Sequence, residues 1–94
     1  MEDLIFKKIN SETAKVSWVT LLPFFASGKT IYIDPSLDLI EVATFFSMNK
    51  SEIVNTWITS KLIYHVTDEQ ANNWYDEDIK LWASVVNPWV LVQI

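Results

Sequence analysis

The stretch from Leu81 to Ile94 constrains this chain more than any other feature, because it alternates as a strand yet carries apolar residues on both faces. Trp82 and Val86 fall on one side, and Leu81, Ala83 and Val85 on the other. A strand that is apolar on both faces must be covered on both. A chain of 94 residues makes one domain and buries only about 60–65% of the surface its unfolded form exposes. Half of its residues are hydrophobic and five are Trp. One covering layer is therefore expected from a second copy, with the C-terminal strand pairing edge to edge. Trp74, Tyr75, Trp82 and Trp89 cluster towards the end of the chain and are the candidate interaction surface.

Composition removes most chemistry. A phosphate-cradling loop needs several glycines in one turn, and Gly28 is the only glycine. A zinc site needs a set of Cys and His ligands, and there is one His and no Cys. Any nucleophilic pair would have to use His65, which lies among Tyr64 and Val66 and reads as a hydrogen-bonded structural residue. No enzyme, cofactor or metal site is expected. The lack of Cys and of a secretory leader points to a cytoplasmic protein. No apolar run approaches the roughly 20 residues that cross a bilayer, so no membrane partner is expected.

Along the chain, Leu4, Ile5 and Ile9 space as a short helix over 2–9. Ser17 can cap a helix from Trp18 to about Ser27, stopped by Gly28 and kinked or delayed by Pro23. Thr30–Ile33 is β-branched and aromatic and reads as a strand closed by the turn Asp34-Pro35. Leu39, Val42, Ala43 and Phe46 mark a helix over 38–48. Asn49 and Glu52 resemble a capping box opening a second helix, to about Ser60, with Ile53–Trp57 and Val54–Ile58 as i,i+4 pairs. Leu62–Val66 reads as a strand. Thr67 and Gln70 form another capping box, opening a helix to about Tyr75. The last stretch is strand broken by Pro88. The expected fold is α+β and winged helix-turn-helix-like, with four to five short helices and a small antiparallel sheet. It forms a single domain over 1–94, with a helical extension over 1–10 and the core over 17–94.

Such a fold raises DNA binding through Asn49–Lys61, which offers Lys50, Asn55 and Lys61 with Glu52 opposing. Twelve acids face seven basic residues, all Lys, for a net charge of −5 and a pI near 4.6, so the long-range field repels nucleic acid. The acids of Asp68–Asp78 account for that excess and read as a solvated acidic segment. Asp34, Asp38 and Glu41 could be read as paired carboxylates. Asp34 before Pro is more naturally a turn former, and Asp38 a helix start. Glu12-Thr13 has no packing rationale and stays a candidate polar motif.

Several strings resemble the small bacterial family called domain of unknown function 2288. They are Glu12-Thr13-Ala14, Trp18, Phe24-Phe25-Ala26 with Gly28, Asp34-Pro35, Leu37-Asp38-Leu39 and Val42-Ala43. Trp57, Leu81-Trp82-Ala83, Val85-Val86 and the closing Pro88-Trp89-Val90-Leu91-Val92-Gln93 continue the likeness. Members of that family often carry Gly in the turn where this chain has Ser60-Lys61. The resemblance implies a cytosolic bacterial protein and brings no established activity. The function expected is a non-enzymatic protein-interaction or assembly module that forms a homodimer and binds a protein partner. The alternatives are a DNA-binding regulator and a small-molecule binding domain with a pocket near Trp74, Trp82 and Trp89.

Overall fold

Nine elements follow one another over residues 13–94, the part of the chain that the computed structural model describes. They are β1 (Ala14–Ser17), α1 (Trp18–Ala26), β2 (Thr30–Ile33), α2 (Leu39–Ser47), α3 (Ser51–Thr59), β3 (Ile63–His65), α4 (Asp68–Asp76), β4 (Lys80–Val86) and β5 (Trp89–Gln93). The helix expected over 2–9, the extension over 1–10 and Glu12 lie outside the described residues.

The strands form one sheet in the order β1-β4-β5-β2-β3. β5 pairs parallel to β2, and every other neighbouring pair is antiparallel. Period-2 alternation then sends successive side chains to opposite faces. Val90 and Val92 of β5, Leu81 and Ala83 of β4, and Tyr32 of β2 meet Trp18 and Leu21 of α1 and Ala71 and Trp74 of α4. Leu91, Ile31, Ile33 and Ile63 meet Leu39, Val42 and Ala43 of α2, with Val54 and Trp57 of α3 packed behind. Both layers over β5 thus come from this chain's own helices, so its two-sided apolarity no longer requires a second copy.

The α+β class and the four helices agree with the sequence reading, but the small antiparallel sheet does not. The sheet has five strands and is mixed, because β5 inserts between β4 and β2. It also begins at Ala14, since the residues before Ser17 pair with β4 in the register Ala14 to Ala83 and Ser17 to Lys80. The winged-helix-like arrangement is not reproduced.

The four helices of the described residues stop in the same way. The residue after the C-cap is left-handed in each: Gly28 (φ 72°), Asn49 (φ 57°), Lys61 (φ 61°) and Asp78 (φ 50°). Each motif is closed by two backbone bonds. In α3, Lys61 N–H donates to Ile58 O at 3.0 Å and Leu62 N–H to Trp57 O at 2.9 Å. This is the Schellman pattern, which satisfies carbonyls the helix end would orphan. Asn49 therefore closes α2 rather than opening α3, whose N-cap is Lys50 with no side-chain capping bond. The Thr67–Gln70 capping box of α4 forms as expected.

Only one of these four positions is glycine, and only glycine adopts this conformation without a Cβ penalty. A Cβ added at Gly28 would meet nothing within 4 Å, so Gly28→Ala isolates the backbone term. Gly28→Ala should lower unfolding stability by about 1 kcal/mol, and Lys61→Gly should raise it by up to about 1 kcal/mol. Urea denaturation reads both, and a destabilised Lys61→Gly variant would show that the lysine side chain outweighs the backbone strain.

Candidate functional site

The outer strand β3 is the place where the fold leaves backbone and apolar surface together. Val66 N–H donates to Thr30 O, and Asp34 N–H donates to Leu62 O, flanking the β2–β3 ladder. Antiparallel alternation then turns the amides and carbonyls of Ile63 and His65, opposite Ile33 and Ile31, towards the outer edge. The side chains of Ile63 and His65 lie on the face covered by α2 and α3. Tyr64 lies on the other face, 5.3 Å from the Tyr32 ring, and accepts a hydrogen bond from Gln70 Nε2 at 3.2 Å.

Above Ile63 and His65, α3 covers the sheet thinly. None of its residues is fully buried, and Ile58 is 52% exposed. The gap between α3 and the sheet is a groove of about 650 Å³. Its floor and one wall are Ile31, Ile63, His65 and Trp89; Phe46 of α2 and Ile58 of α3 form the other wall, with Lys61 and Tyr64 completing the lining. The His65 ring stands edge-on to Trp89, with centroids 5.9 Å apart. His65 is exposed on the groove wall with its ring against Trp89, rather than held in the structural hydrogen bond expected of it.

The four aromatic candidates do not form one surface. Trp74 is 5% exposed and sits in the core, 5.0 Å from Trp18, because Ala71 and Trp74 share the inner side of α4. Tyr75 is exposed on α4. Trp82 is 45% exposed on β4, with Lys15 Nζ 5.7 Å from its ring centroid. Trp89 alone reaches the groove.

The polar candidates are spoken for by backbone. Asp38 caps α2, accepting from Ile40 N–H at 2.9 Å and Glu41 N–H at 3.2 Å. Asp34 Oδ1 accepts from Ser36 N–H at 2.8 Å. That bond, with a second from the Ser36 side chain, holds the Asp34 carboxyl below the usual carboxylate range. The two acids are therefore a turn and a cap, not a pair. Thr13 borders a smaller cleft of about 440 Å³ with Asp38, Leu39, Ile40, Trp82 and Gln93. Lys50 and Lys61 sit at opposite ends of α3, with exposed Asn55 between them. Among the described residues, no group of three or more His, Cys, Asp or Glu is placed to hold a metal ion. No helix among them is long and apolar enough to cross a membrane.

Gln93 was not singled out from sequence. Its Nε2 donates to Asp34 O at 3.0 Å and to Leu37 O at 2.7 Å, tying the end of β5 to the loop before α2. Three of the strings that carried the family resemblance, Asp34-Pro35, Leu37-Asp38-Leu39 and the closing string from Pro88 to Gln93, thus meet at one side chain. A model of the family described as "Protein of unknown function (DUF2288)" matches residues 5–94. The chain belongs to this family. The NMR solution structure of PA1075 from Pseudomonas aeruginosa is similar to it, with 38% sequence identity and a TM-score of 0.83. That likeness covers 96% of this chain and 83% of the other. No curated protein matches the chain.

For this DUF2288 chain, Gln93→Ala leaves two partly buried loop carbonyls without their donor and should destabilise it by about 1–3 kcal/mol, read by urea denaturation. The lowered pKa of Asp34 fixes a second outcome. A folded value below the unfolded one means that its contribution is present above the ordinary carboxylate range, and is lost as pH falls through the folded value. Melting temperature should therefore fall less steeply below about pH 4 in Asp34→Asn than in the parent. Identical pH profiles would remove Asp34 from the acid sensitivity.

Proposed function

We propose that this protein is a non-enzymatic binding module that works through the groove between α3 and β3 and takes up a small, mainly apolar ligand. The observation that carries this reading is the groove itself: about 650 Å³, with Ile31, Phe46, Ile58, Ile63 and Trp89 as its apolar lining. Small-molecule sites are typically about 300–1,000 Å³ and mostly apolar, with a few polar groups to orient the ligand. Lys61 and His65 are those groups here.

The pocket anticipated near Trp74, Trp82 and Trp89 is thereby relocated to Trp89. Homodimer formation draws less support: β5 is covered by the chain's own helices, and the exposed Trp82 and Val85 of β4 lie on opposite faces of the strand. DNA binding draws less support: Lys50 and Lys61 are separated by the length of α3, and Glu52 lies in its first turn.

The test is binding of a neutral apolar fluorophore, N-phenyl-1-naphthylamine, followed by its emission. The parent should bind, and Ile58→Glu, which sets a charge on the groove wall, should weaken binding at least about tenfold. Val19→Glu, an equally exposed position on α1, should leave binding unchanged. Binding that survives Ile58→Glu intact would refute the groove as the site.

A further inference from the structure

Building on the groove as the binding site, we infer that its ligand is an amphiphile with an apolar body and a single carboxylate head, the head lying towards Lys61 and His65. The argument is one of charge. The chain carries twelve acids and seven Lys, yet among the described residues no acid lines the groove and Lys61 is the only charged residue that does. The His65 imidazole on the lining can also donate, and the open edge of β3 offers the amides of Ile63 and His65 alongside their carbonyls. An apolar trough with one cation and no acid among its described lining residues matches a carboxylate and opposes a cationic head.

Three compounds with a ten-carbon chain, each kept below its micelle or solubility limit, test this by competing with N-phenyl-1-naphthylamine: decanoate, decanol and decyltrimethylammonium. Decanoate should displace the fluorophore at a concentration about two- to fivefold lower than decanol, the size of one solvent-exposed ion pair. Decyltrimethylammonium should be the weakest, and added salt should shrink the difference between decanoate and decanol. Lys61→Gln should abolish decanoate's advantage while leaving decanol unchanged. Equal competition by all three, or an advantage that survives Lys61→Gln, would overturn the carboxylate assignment while leaving the groove as the site. A fluorophore that does not bind the parent protein would instead remove the groove reading itself.

Discussion

The rest of the fold follows from the need to cover β5 twice. Its backbone is satisfied by β4 on one side and β2 on the other, and its side chains alternate into two separate cores. A strand so placed cannot leave either face to water, so helices must lie on both sides of the sheet. The chain meets this by sending α2 and α3 to one face and α1 and α4 to the other. The parallel pairing with β2 joins Thr30–Tyr32 to Val90–Val92, so the centre of the sheet unites distant parts of the chain. Gln93 extends that closure by holding the loop that leaves β2.

The two layers are unequal, and the difference places the groove. On one face, rings pack in sequence from Phe25 to Trp18, Trp74, Tyr32 and Tyr64, with centroids 5.0–5.8 Å apart. Trp18 is fully buried within it. On the other face, α2 buries Leu39, Val42 and Ala43, while α3 buries no residue completely. Elements with few buried contacts open most readily. A binding surface on the α3 side therefore leaves the ring-packed core undisturbed.

Local structure was legible in the sequence because it depends on neighbours. The strand Thr30–Ile33, the helix capped by Asp38 and the Thr67–Gln70 box need only a few consecutive residues to be read. Pairing was not legible, since no local pattern says that β5 lies beside β2. β1 was missed because Ala14, Lys15, Val16 and Ser17 form a short edge strand of mixed polarity, and its partner β4 lies far along the chain. Asn49 was misread because the same residue type favours helix N-caps and left-handed C-terminal positions, and only the fold decides between them. The aromatic candidates failed as a group for a similar reason. Closeness in sequence put Trp74 and Trp89 together, and the sheet separates them onto opposite faces. Ile58 was legible as an apolar helix residue, but its exposure depends on how closely α3 approaches β3.

Lys61 joins these points. Ending α3 in a Schellman motif requires a left-handed residue there, and glycine would meet that requirement at the least conformational penalty. Lysine holds the same conformation against a Cβ clash and is the only charged residue on the groove lining among the described residues. At Asn49 the left-handed residue is of a type that tolerates the conformation, and at Gly28 there is no Cβ at all. Lysine has neither excuse, so stability alone does not account for it. Backbone strain persists where the surrounding structure enforces it, and it tends to gather at sites that bind. The strained turn is thus the point where the helix end and the groove lining meet in one residue, and the proposed binding role would give that residue a reason to be lysine.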